Sequence, residues 1–246
     1  MSIVLVLTPP PAALSLGVGS TLDGSTETRL ATALLQDACR AGAESGGDLL
    51  VAVRDDEGVD GDTAAAQAAV RTALEPVEAL DAEAVRIERA VGSTPSARLG
   101  NTVTHLLEEE EASSVIALWP RAPLVGRAAL DGMAMKLRRD PVVLAPAAAG
   151  RLAFAGFTES IDFTDCLQPP ALTTVTDRAL DAGLAVDFVD ETTRVDGMRT
   201  LASALVQLRA RRRADRIVPP ATAAAVDALD LRVAVADDGD LTVVAD

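Results

Sequence analysis

The chain has 246 residues, a length that one α/β core often fills and that two small domains could also share. Apolar residues make up 49% of it, mostly Ala, Val and Leu with four Phe, one Trp and no Tyr, so a sizeable core packed with small side chains is expected. Asp and Glu number 37 against 22 Lys plus Arg, for a net charge of -15, which excludes a nucleic-acid partner held through a general basic surface.

In chain order, Ser2 to Thr8 (SIVLVLT) is a continuous run of Ile, Val and Leu halted by Pro9, Pro10 and Pro11, and it predicts a buried strand entering a loop. The loop reaches Ser25. From Thr26 to Ser45, Leu30, Leu34, Leu35 and Ala38 recur at helical spacing, and Gly46-Gly47 precedes a second strand, Asp48 to Val53. This βαβ unit favours a parallel sheet. An acidic turn over Asp55 to Asp62, an Ala-rich helix over Thr63 to Leu80, a strand over Ala84 to Ala90 and a loop over Gly92 to Ser96 follow. A helix is predicted over Arg98 to Glu111, ending in four glutamates, then a strand over Ser114 to Trp119, a helix over Arg127 to Arg138 and a strand over Pro141 to Ala145. The alternation continues as a helix over Thr173 to Ala182, a strand over Ala185 to Val189 and a helix over Gly197 to Arg211. The end, Ala224 to Val244, reads as a short helix and one or two strands. No internal repeat or low-complexity linker interrupts the pattern, so one domain over residues 1–246 is the simplest organisation, with residues 212–246 as an extension or a sheet-edge element.

Lys136 is the only lysine, so nearly all positive charge is arginine. An acidic, lysine-poor surface stays hydrated in concentrated salt, where screening within roughly 3 Å at 1 M suppresses self-repulsion. A halophilic, haloarchaeal-type cytoplasm is the expected environment; a high-GC mesophile is the alternative. Cys39 and Cys166 lie far apart without a CxxC spacing, and a single histidine cannot complete a Cys/His zinc site, so buried thiols are expected rather than a disulfide or a structural metal. Met1 to Leu7 lacks a basic start and is short for a signal peptide, and no apolar run is long enough to span a bilayer, so a cytoplasmic protein without a membrane partner is expected.

Three blocks carry a resemblance: Ser96 to Leu124 (SARLGNTVTHLLEEEEASSVIALWPRAPL), Val142 to Phe157 (VVLAPAAAGRLAFAGF) and Leu184 to Leu201 (LAVDFVDETTRVDGMRTL). In order and spacing they resemble a glycosyltransferase-A-like family once catalogued as a domain of unknown function, itself similar to molybdenum-cofactor and phospholactate nucleotidyltransferases. The resemblance implies a three-layer α/β/α sandwich with a mostly parallel central sheet of the nucleotide-diphospho-sugar transferase kind, and a nucleotide site.

The polar positions depart from that family. Its members carry a glycine-serine-aspartate-x-proline turn after the central strand, and here the turn reads Trp119-Pro120-Arg121-Ala122-Pro123, with Arg121 in place of the carboxylate. An acidic pair in a second family segment corresponds to Ala148 and Ala149, beside Gly150 and Arg151. The family's aspartate-valine-aspartate corresponds to Arg194-Val195-Asp196, and its basic opening loop is reduced to Arg29 between Thr28 and Leu30. Mg²⁺ or Mn²⁺ at such a site needs carboxylate oxygens, and arginine cannot ligate it; Arg121, Arg151 and Arg194 read first as side chains that face solvent or pair with surface acids, and only if they converge would their guanidiniums suit phosphate oxygens in place of a metal. The positions the resemblance assigns to a ligand are therefore Arg29, Gly100, Arg121, Gly150, Arg151, Arg194 and Asp196, with no metal ligand and no assigned catalytic residue.

Two functions stay open at this point. One is a lapsed transferase-like protein binding a nucleotide, another anionic small molecule or a protein partner. The other is an active glycosyltransferase or nucleotidyltransferase using a nucleoside diphosphate sugar or nucleoside triphosphate, with Mg²⁺ or Mn²⁺ entering only under this second reading. The Leu16 to Ser25 loop (LGVGSTLDGS) reads as a flexible surface loop, with a phosphate cradle as the alternative. His105 reads as a structural histidine, Glu108 to Glu111 as a solvated face, and Asp162 and Asp165 as loop residues that could line an acceptor side.

Overall fold

The computed structural model describes residues 1–19, 22–54, 63–236 and 239–245, so the acidic turn over Asp55 to Asp62 lies outside the described residues. Strands β1 (Ser2–Thr8), β2 (Asp48–Val53), β3 (Arg86–Arg89), β4 (Ser114–Leu118), β5 (Val142–Ala147), β6 (Arg151–Phe157) and β7 (Val186–Phe188) form one sheet in the order β3-β2-β1-β4-β6-β5-β7. Six of its strands run in one direction, while β6 is antiparallel to both β4 and β5. The sheet is therefore mixed but mostly parallel, as the βαβ alternation requires.

Alternation along β1 shows why the sheet is covered twice. Val4 and Val6 join a core with Leu35, Ala38 and Cys39 of α1 (Gly24–Glu44), Val70 and Leu74 of α2 (Thr63–Leu74), and Leu130 and Met133 of α4 (Arg127–Lys136). Ile3 and Leu5 point the other way, into a core with Leu99, Val103 and Leu106 of α3 (Pro95–Glu108) and Val175 and Ala179 of α5 (Ala171–Asp181). A third core lies on the far side of α1. There Leu30, Ala31 and Leu34 meet Leu201 and Leu205 of α6 (Met198–Arg213), Val226 of α7 (Pro220–Ala228), Leu231 of β8 (Leu231–Val235) and Val243 of β9 (Leu241–Ala245).

Several boundaries differ from the sequence expectation for identifiable reasons. Helix α2 stops at Leu74 rather than Leu80: Glu75 N still donates to the Arg71 carbonyl at 3.2 Å, but Pro76 has no N–H to continue the ladder. Helix α3 starts at Pro95 rather than Arg98: the Thr94 hydroxyl caps Ala97 N at 3.1 Å and Pro95 takes the first helical position. Strand β6, not anticipated, is a buried run of small residues and two phenylalanines, and the Phe157 and Phe163 rings pack edge to face with centroids 5.3 Å apart. The last two strands do not extend the main sheet. They pair with each other as an antiparallel ribbon resting on α6.

Charge pairing is spread over the surface. The Arg86 guanidinium, through its hydrogen bonds, holds Glu110 below the usual carboxylate range; Lys136 does the same to Asp187 and Arg212 to Asp227. A carboxyl lowered in the folded state adds stability above its unfolded pKa of about 4, and that stability is lost as pH falls through the lowered value. Thermal melts at constant salt are accordingly expected to fall below about pH 4 as these pairs are lost. A melting temperature unchanged down to pH 3 would contradict this. Among the described residues no helix is long and apolar enough to cross a membrane.

Candidate functional site

The chain runs from β1 outward through β2 to β3, then returns to place β4 on the other side of β1, so the direction of strand order reverses between β1 and β4. Open α/β sheets form a crevice beyond the strand ends at such a point. Here that crevice is a cavity of about 230 Å³, lined by Leu7, Thr8 and Pro9 at the end of β1, Trp119 and Pro120 after β4, and five arginines. Arg54 follows β2, Arg98 sits in the first turn of α3, Arg121 follows β4, Arg151 opens β6, and Arg194 lies in the segment between β7 and α6. The antiparallel run of β6 explains Arg151: its first residue, not its last, lies at the end of the sheet where β4 finishes. Among the described residues no carboxylate lines the cavity.

Three of the arginines converge on one acid. Arg121 Nη1 donates to Asp196 Oδ1 at 2.9 Å, Arg151 Nη1 stands 3.7 Å from the same oxygen, and Arg194 Nε lies 2.9 Å from Oδ2. That last contact is an ion pair rather than an aligned hydrogen bond; Arg194 Nη1 instead donates to the Leu152 carbonyl at 2.6 Å. Burial pushes the Arg194 guanidinium below the usual arginine range and Asp196 pulls it back, while the neighbouring Arg121 and Arg151 cations add to the depression. Its guanidinium carbon also stands 5.7 Å over the Trp119 ring, so the one tryptophan is both a wall of the cavity and a cation–π partner.

The backbone around Asp196 is held from three sides. Val195 N donates to the Arg121 carbonyl at 2.7 Å, and Asp196 N donates to Thr200 Oγ1 at 2.9 Å. Gly17 approaches closely: with φ +68, a Cβ there would sit 2.9 Å from the Asp196 carbonyl oxygen. The Leu16 to Ser25 loop was expected to be a flexible surface loop; Ser20 and Thr21 lie outside the described residues, and the described part is anchored by packing. Leu16, Val18 and Leu22 are buried in the third core, and the Glu27 carboxylate accepts Leu16 N at 2.6 Å. The loop buttresses the site, and the start of α1 is already capped by Asp23, which accepts Ser25 N and Thr26 N at 2.8 and 3.0 Å.

The other expected positions separate from this cluster. Arg29 is exposed on α1 and does not line the cavity. Gly100 is a packing residue: a Cβ there would lie 2.6 Å from Phe163 Cβ, so the glycine lets the segment after β6 seat on α3. Gly100→Ala is expected to cost about 1–2 kcal/mol through overpacking, measured by chemical denaturation; no loss would show that Phe163 can move aside. Gly150, with φ +67, turns β5 into β6 beside Pro170 and does not line the cavity either. Asp162 pairs with Arg178 at 2.8 Å, Asp165 accepts Gln168 Nε2 at 3.1 Å, and neither lines the cavity. His105 is exposed, with Nε2 3.4 Å from Glu110, as a structural histidine would be.

Arg54 and Arg98 escaped the sequence reading. Arg54 is the first residue after β2, and the rule that ligands bind beyond strand ends would have singled it out. Arg98 stands inside the first matching block, but its place in the cavity depends on α3 starting three residues early.

The residues do not suit a divalent metal. Of the positions where the resemblance implies acids, Arg121 and Arg194 are cations, Ala148 and Ala149 are exposed and carry no donor, and Asp196 is occupied by guanidiniums on both oxygens. No group of three or more His, Cys, Asp or Glu is placed to hold a metal among the described residues.

The mostly parallel sheet flanked by helices matches nucleotide-diphospho-sugar transferase-like folds. A crystal structure from Desulfovibrio desulfuricans G20, assigned as a nucleotide-diphospho-sugar transferase, superposes with a TM-score of 0.73 at 16% identity, covering 92% of this chain and 95% of that one. A cytidylyltransferase from Leptospira borgpetersenii serovar Hardjo-bovis superposes with a TM-score of 0.52 at 9% identity, covering 92% and 94%. At these identities the likeness is one of fold. No protein-family model matches the chain, and no curated protein matches it.

Proposed function

We propose that the chain is a transferase-like protein that has given up metal-dependent catalysis and binds an anionic small molecule, a nucleotide or a related phosphate, through guanidinium groups. The observation that carries this reading is the convergence of Arg121, Arg151 and Arg194 on one wall of a cavity that Arg54 and Arg98 also line. Guanidiniums in a partly desolvated crevice bind phosphate oxygens with charge-assisted, often bidentate hydrogen bonds and need no metal to do so. The apolar side formed by Leu7, Leu14, Leu152 and Trp119 offers a surface for a ring or a hydrocarbon portion of the same ligand.

A second reading is favoured by the same convergence. Fixed cations can take over the charge that a metal would place on a leaving diphosphate, so an arginine-based transferase is compatible with the cavity. Calorimetric titration with nucleoside diphosphate sugars and nucleoside triphosphates, in EDTA and in Mn²⁺, followed by product analysis, separates the two. Binding without turnover supports the first reading; turnover in EDTA supports the second; binding that requires Mn²⁺ defeats both. The net charge of -15 further supports a salt-rich working environment, and the melting temperature is expected to rise between 0.1 and 2 M KCl. A flat or falling melting temperature would contradict the halophilic proposal.

A further inference from the structure

Asp196 is the acid that the resemblance would keep for a metal, and its surroundings give it a different task. Its side chain is about 10% exposed and has three guanidiniums around two oxygens, at 2.9, 3.7 and 2.9 Å. It cannot withdraw. The hydrogen bonds of Val195 N and Asp196 N, and the close passage of Gly17, fix its backbone, so any anion that reaches these arginines must draw them away from a carboxylate that stays in place. Three cations and one acid leave two positive charges on this wall of the cavity, and Arg54 and Arg98 face the same space.

Resting on the arginine-pocket reading above, we propose that Asp196 is a resident counter-ion: it keeps Arg121, Arg151 and Arg194 gathered in the empty site and competes with every incoming anion. The competition selects by charge. A monovalent anion meets only part of the charge that Asp196 leaves on Arg121, Arg151 and Arg194 while paying the full cost of competing with a fixed carboxylate, whereas a diphosphate-type oxyanion can meet all of it. Asp196 thereby sets a threshold of ligand charge, and its removal lowers that threshold.

The test uses inorganic pyrophosphate and formate as probes, titrated calorimetrically into the wild-type chain, Asp196→Asn and Asp196→Glu in EDTA, with circular dichroism to verify folding. Wild type is expected to bind pyrophosphate and to ignore formate. Asp196→Asn is expected to bind pyrophosphate about tenfold more tightly, between the effects of one nearby charge in water and in protein, and to gain formate binding. Asp196→Glu keeps the charge and extends it one methylene further into the site, so it is expected to bind pyrophosphate more weakly than wild type. It carries the test if Asp196→Asn does not fold. A folded Asp196→Asn binding pyrophosphate equally or more weakly than wild type, or an Asp196→Glu binding it as well as wild type, overturns the counter-ion proposal and leaves the arginine pocket standing. Failure of pyrophosphate and of the nucleotide probes to bind any of the three overturns both.

Discussion

Arg121→Ala is expected to weaken binding of phosphate-bearing ligands about thirtyfold, or roughly 2 kcal/mol, and to do so equally in EDTA and in Mn²⁺. The residue is suited to this test because its structural and ligand-facing parts separate. Its carbonyl accepts Val195 N at 2.7 Å, a main-chain bond that the substitution keeps, while its guanidinium lines the cavity and donates to Asp196. Truncation therefore removes one cation from the wall and leaves the segment that carries Arg194 and Asp196 tied down. Stability should change little, since the lost pair is partly exposed and Asp196 retains two other arginines. Calorimetric titration against wild type checks the expectation; binding within a factor of two of wild type would show that Arg121 serves only its pair with Asp196.

The second large effect lies away from the cavity. Asp37, buried on α1, accepts Ala221 N at 3.0 Å and Thr222 N at 2.7 Å, so a single carboxylate closes the first turn of α7 and ties the C-terminal elements to the sheet's helical layer. Asp37→Ala leaves two inward-facing donors without an acceptor and is expected to cost about 3 kcal/mol in denaturant unfolding. That is a large share of a net stability of about 5–15 kcal/mol. Burial, ahead of the opposing hydrogen bonds, pushes the Asp37 carboxyl above the usual range. The raised value means that its contribution is fullest below about pH 4 and declines as pH rises through the folded pKa, so the gap between wild type and Asp37→Ala should narrow in that direction. A cost below about 0.5 kcal/mol, or a gap that widens with pH, would contradict this account of the helix junction.

What was legible in the sequence followed from periodicity. Continuous apolar runs such as Ser2 to Thr8 and Ser114 to Trp119 marked strands buried on both faces, and the helices between them dictated parallel crossovers. Long-range geometry was less visible. Nothing in the spacing of Arg151 and Leu152 announces that β6 runs backwards, yet that reversal is what brings Arg151 beside Arg121. The glycines at 17 and 19 suggested freedom, whereas the buried Leu16 and Val18 between and beside them decided for packing. For the site, the resemblance singled out Arg121 and Arg194 at positions where it implies acids, and those two side chains do meet at Asp196. Gly100 came from the first block and Arg29 from the reduced opening loop, but a helix face is set by its own packing, and theirs turn elsewhere.

The most direct test is a titration of nucleoside diphosphate sugars and triphosphates performed twice in molar KCl, once with EDTA and once with saturating Mn²⁺. If guanidiniums alone hold the phosphates, the two dissociation constants agree within a factor of about two and both rise in Arg121→Ala. Binding seen only with Mn²⁺, and lost when Asp196 is replaced by Asn, would mean that this aspartate coordinates metal after all.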